Sequence, residues 1–359
     1  MLYHSFNDIL TTMFGAIFFT ALWNVYYIYT NYITTPQIQS SDVVIKKNVK
    51  LTGNVFAVIF NLAILWLFLF NYVHIQKFST SLIFWDTLQL SNNTANFFFL
   101  SISILMVIMT SISCLSKQNI SFSIEYALFV YIIILAGYLL ISSTNLFITV
   151  FFLEFIALLI FGKFTVSRVL FNTSKLMSNN PAYMSQHSYG LFNSLFFQFW
   201  ANFVSSILLF FSLINIHYLC GTSNFFILNF IFSILSSNLF IPNNFNMTIF
   251  ILFTMGLFIK LGLSPYQFFK IETYKGVPLF MVVIYTTLYL LIYVYFFLFL
   301  FFYQLPVIRD FTGAYTLFSI TFSLFYLISL LFDTKNFKAF LSYSTLITVV
   351  NLFVVVLVL

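Results

Sequence analysis

Two ionisable residues sit where a strongly apolar chain should carry none. Glu154 lies in Phe151-Phe152-Leu153-Glu154-Phe155-Ile156, and Lys260 lies in Gly256-Leu257-Phe258-Ile259-Lys260-Leu261. At the centre of a bilayer such a group costs about 3 kcal/mol on insertion scales, so it needs a partner or a polar cavity. Desolvation favours the neutral form of a carboxyl and of an amine alike, so both groups can take up or release a proton during a working cycle. That is the chemistry of a proton relay; a static buried pair, or a Lys snorkelling to the interface, uses the same two residues. Glu125, near the entrance of another apolar run, suits an interfacial carboxylate. Beyond Lys260 come Gly262 and then Ser264-Pro265-Tyr266, and Pro both removes a backbone donor and clashes with the preceding turn. A broken helix beside an intramembrane charge recurs at ion sites because its freed carbonyls can solvate a cation. A plain packing kink is the other reading.

The elements that must hold these residues follow from composition. Of 359 residues, 62% are hydrophobic and only 6% charged, with 54 Phe and 22 Tyr. So few charges cannot cover a water-soluble fold, whose average is roughly 25% charged. Stretches of about 17 to 25 apolar residues, each long enough to cross the hydrocarbon core as a helix, number about ten. They fall near 8–30, 52–73, 96–114, 124–143, 144–162, 191–215, 247–269, 277–303, 314–332 and 340–359. The expected fold is all-α, a polytopic transmembrane helical bundle. The run at 225–241, between Gly221 and Ile241-Pro242-Asn243-Asn244, is short enough for a half-span or an interfacial helix.

Charge placement supports ten crossings. The loops after odd-numbered spans hold Lys46, Lys47, Lys50 and Asp42; Lys117; Lys163, Arg168 and Lys175; Lys270, Glu272 and Lys275; and Asp333, Lys335 and Lys338, a net of +8. The opposite face, with Asp8, Lys77, Asp86, Arg309 and Asp310, nets −1. This asymmetry is the positive-inside pattern, and it places both termini on the less basic side. The first span ends in Asn31-Tyr32-Ile33-Thr34-Thr35-Pro36 without a small-residue cleavage site, which predicts a retained helix and not a signal peptide. The polar stretches 31–50 and 163–190 read as loops too short for a soluble domain.

Other chemistries lack their residues. Cys114 and Cys220 cannot build a disulfide framework, and His4, His74, His187 and His217 have no second ligand at helical spacing, so neither metal nor haem is expected. No phosphate loop, dinucleotide fingerprint or nucleophile elbow occurs. The net charge of +6 is spread out, which disfavours nucleic-acid binding. No cofactor and no redox step in this chain are expected; lipids are the expected surroundings.

Residues 260–278, Lys-Leu-Gly-Leu-Ser-Pro-Tyr-Gln-Phe-Phe-Lys-Ile-Glu-Thr-Tyr-Lys-Gly-Val-Pro, closely resemble the signature of the chain 2 family of mitochondrial NADH:ubiquinone oxidoreductase, respiratory complex I. The ending Tyr274, Gly276, Pro278 favours chain 2 over the related chains 4 and 5. Phe152-Leu153-Glu154-Phe155-Ile156 resembles the family's Glu-bearing fifth helix, and Glu125 stands where its fourth helix has a carboxylate. Lys335-Asn336-Phe337-Lys338-Ala339-Phe340-Leu341-Ser342-Tyr343-Ser344 is similar to its loop before the tenth helix. The resemblance implies an antiporter-like, proton-translocating membrane-arm subunit of the mitochondrial inner membrane. Such a subunit works beside other membrane-arm subunits, in a complex that passes electrons from NADH to ubiquinone. It also implies an organisation: an N-terminal three-helix segment at 1–123, a first five-helix inverted repeat at 124–303 containing the broken helix, and the start of a second repeat at 314–359.

The chain departs from that pattern at three points. Gln198 stands near a family Lys on the sixth helix, and Tyr289-Leu290 stand where the central-axis Lys is expected. Water and Tyr residues bridging the gap, a different proton path, or loss of pumping are all compatible with this. The family's full form has fourteen helices, whereas the sequence stops after the tenth, so a separately encoded polypeptide is expected to supply the rest. A non-pumping assembly subunit and a stand-alone cation/proton antiporter are the alternatives.

Overall fold

The computed structural model describes residues 81–83, 88–90, 120–175, 181–237, 243–263, 266–277, 282, 285–300, 306–332, 334 and 337–358. The first three expected spans, together with Pro265, Pro278, His4, His74 and Cys114, lie outside them, as does the side chain of Glu125. The chain divides into two units, Met1–Ser142 and Ser143–Leu359.

In the first unit, β1 (Ser81–Ile83) pairs antiparallel with β2 (Leu88–Leu90), with Ser81 opposite Leu90. This short hairpin is the one departure from an all-helical architecture among the described residues, and apolar-run counting does not foresee it because three-residue strands leave no periodic signal. Helix α1 (Ile120–Ser142) follows and carries Glu125 in its second turn.

The named elements of the second unit, among the described residues, are helices: α2 (Leu146–Lys175), α3 (Pro181–Cys220), α4 (Phe225–Ser237), α5 (Asn243–Leu261), α6 (Phe268–Gly276), a π turn (Tyr285–Tyr289) running into α7 (Leu290–Phe299), α8 (Pro306–Phe332) and α9 (Phe337–Val358). Among the described residues three segments are long and apolar enough to cross a membrane: Leu146–Phe164, Phe192–Cys220 and Thr312–Phe332. Helix α4 has 13 residues, about 20 Å at 1.5 Å per residue, which is too short for a crossing.

The polar stretch 163–190, expected as a loop, is mostly helix: α2 continues to Lys175 and α3 begins at Pro181, which puts His187 within α3. Pro at the first position of α3 forfeits no bond, because the first-turn N–H groups have no helical acceptor. Helices of 30 and 40 residues run about 45 and 60 Å, so both outreach a hydrocarbon core of about 30 Å and carry their polar ends beyond it.

Two matching caps open α2 and α4. Asn145 Oδ1 accepts the Phe147 N–H and Asn224 Oδ1 accepts the Phe226 N–H, both at 3.0 Å, which satisfies first-turn donors. The same corner is crossed by Leu146 N–H to Ser223 O at 2.9 Å and Phe225 N–H to Thr144 O at 3.0 Å. Helix α3 packs on α2, α5 and α6, while α8 packs on α9 and α5, and α6 also meets α9. Gly256 sets the closeness of α3 and α5: a Cβ there would fall 2.8 Å from Leu209 Cγ and 3.3 Å from Ser205 O. The outer face of α3 exposes Phe192, Phe196, Phe199, Trp200, Phe203 and Ile207, as suits a helix bathed in lipid.

Candidate functional site

Helix α5 ends at Leu261, and Gly262 takes φ +71°, the left-handed conformation that only Gly adopts without steric cost. Gly262 N–H bonds to Ile259 O at 3.0 Å and Leu263 N–H to Phe258 O at 2.9 Å, closing the last turn. The helix carrying Lys260 thus ends one residue beyond it, and the chain turns away at Gly262. Carbonyls in the last turn of a helix lack a donor four residues on. Two of them find side chains instead: Tyr289 donates its hydroxyl to Lys260 O at 2.8 Å, and Lys270 Nζ donates to Leu261 O.

The two charges carried by apolar runs meet where α5 ends. Lys260 Nζ lies 2.9 Å from Glu154 Oε1, joining α5 to α2; the Lys side chain is 0% exposed and the Glu side chain 17%. The Ser206 hydroxyl on α3 donates to the other carboxylate oxygen, Oε2, at 2.7 Å. Snorkelling of Lys260 to an interface is therefore not what this fold does. A carboxylate and an ammonium at this distance share a site in which one proton can move between them, leaving a neutral acid and amine.

One face of the π turn and α7 supplies a row of three buried tyrosines beside the pair. Tyr285 and Tyr289 stack with ring centroids 4.4 Å apart, and Tyr289 and Tyr293 are 4.3 Å apart. Tyr293 donates its hydroxyl to Leu153 O at 2.9 Å, one residue from Glu154. Tyr285 neighbours Gln198 and Tyr289, and its ring stands edge-on to Tyr274 at 5.6 Å. Insertions of π geometry are frequent at functional sites because they re-aim side chains on an otherwise regular helix.

Of the residues singled out in the sequence, Glu154, Lys260 and Gly262 converge. Tyr274 is buried one helix further on, and Gly276 ends α6. Lys338, in the stretch resembling the family loop, donates to Val277 O at 2.9 Å and so ties the start of α9 to the end of the signature segment. Gln198 is buried beside the tyrosine row, and Leu290 is buried at the start of α7. Sequence reasoning missed Ser206, Tyr285 and Tyr293. It also counted Lys270 as a loop charge, whereas the structure buries it completely. Its burial follows from the helix break, which folds α6 back so that Lys270 reaches the carbonyl of Leu261. No group of three or more potential metal ligands occurs among the described residues.

No protein-family model matches the chain. A segment of 83 residues, 23% of the chain, is 42% identical to 53% of "Uncharacterized mitochondrial protein ORF4" of Paramecium tetraurelia. In fold the chain is similar to a chain of respiratory complex I from Thermus thermophilus, solved with bound aureothin, at TM-score 0.59 and 12% identity over 93% of this chain and 62% of that one. It is also similar to a chain of the membrane-bound sulfane sulfur reductase (MBS), an archaeal respiratory membrane complex, at TM-score 0.63 and 14% identity over 96% and 63%. The chain spans less than two thirds of the length of each of these proteins. It has the helical membrane fold of a chain found in both respiratory complexes.

Proposed function

We propose that the chain is a membrane-arm subunit of a complex I-type assembly and takes part in proton translocation coupled to electron transfer from NADH to ubiquinone. The observation that carries this reading is the Glu154–Lys260 pair, which joins α2 to the end of α5 with its Lys fully buried and its Glu largely covered. The fold shared with chains of two respiratory complexes agrees with it, and the sequence signature at 260–278 narrows it to the chain 2 family. The likeness to a mitochondrial open reading frame supports a place in the mitochondrial inner membrane, among other membrane-arm subunits. On this reading 124–303 forms the first inverted repeat and 314–359 begins a second. Glu125 is a further relay carboxylate on α1.

In this proposal Glu154 and Lys260 hold one proton between them and pass it on when the electrostatic balance along the arm changes. Charged groups within a membrane are retained for such work because their burial is otherwise costly. Glu154→Gln and Lys260→Met, each introduced into the assembled complex, should leave NADH oxidation by an artificial acceptor intact and abolish proton translocation. Undiminished translocation in both variants would turn the reading to a non-pumping structural subunit, which Gln198 and Leu290 at expected Lys positions favour.

A further inference from the structure

Lys270 has no role in the site as proposed, yet with Lys260 it is one of two cations sealed inside the helical unit among the described residues. Among the described residues no carboxylate pairs with it; the nearby Glu272 pairs with Lys275 at 2.7 Å on the outer face of α6. Its Nζ donates to Leu261 O and stands 5.7 Å from the centroid of the Tyr285 ring. Its stem fills the space that Gly262 leaves open, since a Cβ on that glycine would lie 2.5 Å from Lys270 Cδ. A buried ammonium without a counter-charge is costly, and structural economy would replace it with Met or Leu.

Position explains what it could do. Leu261 O, which accepts from Lys270, and Lys260 O, which accepts from Tyr289, are successive carbonyls at the broken end of α5. Lys270 therefore sits at one end of the row Tyr285, Tyr289, Tyr293, whose other end reaches Leu153 O next to Glu154. The polar and titratable groups around this row are Lys270 and Tyr274 from α6, Gln198 from α3, Glu154 from α2 and Lys260 from α5. A phenol hydroxyl can accept one proton while giving up its own, so a row of them conducts a proton without any tyrosine staying charged.

We infer that Lys270 is a second proton-exchanging cation, linked to the Glu154–Lys260 pair through the hydroxyls of Tyr285, Tyr289 and Tyr293. The inference rests on the proton-translocating reading above and adds a second station to it. In one transfer the Tyr289 and Tyr293 hydroxyls turn away from Lys260 O and Leu153 O, the Lys270 ammonium becomes an amine, each tyrosine takes a proton and releases one, and the Glu154–Lys260 pair ends with one proton more. No electron moves and no covalent bond other than those to the travelling protons changes.

The test uses the assembled complex in sealed membranes, with translocation normalised to the amount of assembled complex. Lys270→Met, which keeps the volume beside Gly262, should abolish NADH-driven translocation while electron transfer to an artificial acceptor persists. Lys270→Arg should fail to restore it, because guanidinium does not release a proton in this range, whereas a merely space-filling or charge-bearing role would be met by one of the two variants. Tyr285→Phe, which keeps the ring and removes only the hydroxyl, should also lose translocation. Full translocation in Lys270→Met or in Tyr285→Phe overturns the inference. If translocation also survives Glu154→Gln and Lys260→Met, the underlying functional reading fails with it. If those two lose translocation while Lys270→Met and Tyr285→Phe retain it, only the second station is refuted.

Discussion

Replacing Glu154 with Leu leaves the Lys260 ammonium, 0% exposed, without the carboxylate that stood 2.9 Å away. At that separation and an effective dielectric of about 20, the lost attraction is about 6 kcal/mol, an upper bound on what the pair contributes. One-sided removal of a buried pair typically destabilises by about 3–5 kcal/mol, because the stranded charge keeps its desolvation penalty. The converse change, Lys260→Met, is expected to cost less, about 1–3 kcal/mol. Glu154 is 17% exposed and keeps the Ser206 hydroxyl at 2.7 Å. Removing both charges in Glu154→Leu/Lys260→Met leaves nothing stranded, so the double variant should be more stable than Glu154→Leu alone. The assay is the thermal midpoint for release of the chain from the detergent-solubilised assembly, measured for the two single variants and the double. Losses that add to within about 0.5 kcal/mol would mean that the two groups do not interact. A larger loss for Lys260→Met than for Glu154→Leu would refute the asymmetry drawn from their burial.

Tyr289→Phe should destabilise by about 1–3 kcal/mol, because the Lys260 carbonyl in the last turn of α5 is left buried without a donor. Tyr293→Phe should cost only about 0.5–1.5 kcal/mol, since Leu153 lies inside α2 where the helix supplies its carbonyl with a donor; thermal midpoints that fail to separate the two variants would contradict this. Gly262→Ala must hold a side chain at φ +71°, a cost of about 1–2 kcal/mol before any clash with Lys270. Combining it with Lys270→Ala should relieve the clash and leave the backbone part, so full recovery of the midpoint relative to Lys270→Ala alone would rule out strain at Gly262. Ser206→Ala removes the hydroxyl that donates to Glu154 Oε2 and should lower the thermal midpoint more in the wild type than in Glu154→Leu, where the acceptor is already gone. Equal effects in both backgrounds would show that the hydroxyl acts elsewhere.

From the sequence alone one could read the medium, the helical class and the two ionisable residues on which the proposed relay is built. Apolar runs and the scarcity of charge are properties of composition, and a Glu or Lys inside such a run stands out without coordinates. Pro265 pointed to an interruption beyond Lys260, because proline removes a backbone donor and clashes with the preceding turn, but a packing kink read the same way; that the chain leaves the helix at Gly262 came from the fold. Pairing was not legible. Glu154 and Lys260 are 106 positions apart, and only the packing of α2 and α5 against α3 decides that they meet and that Ser206 completes the contact. Lys270 shows the limit most plainly: by residue type and neighbourhood it looked like one more loop charge beside Glu272 and Lys275. The fold turned α6 back under the broken helix end, and an apolar enclosure with a single carbonyl changed a solvated side chain into a buried cation. Tyr285 and Tyr293 stood unremarked among 22 tyrosines: their spacing of four puts them with Tyr289 on one helix face, but only the packing shows that this face meets the end of α5 and Leu153 beside Glu154.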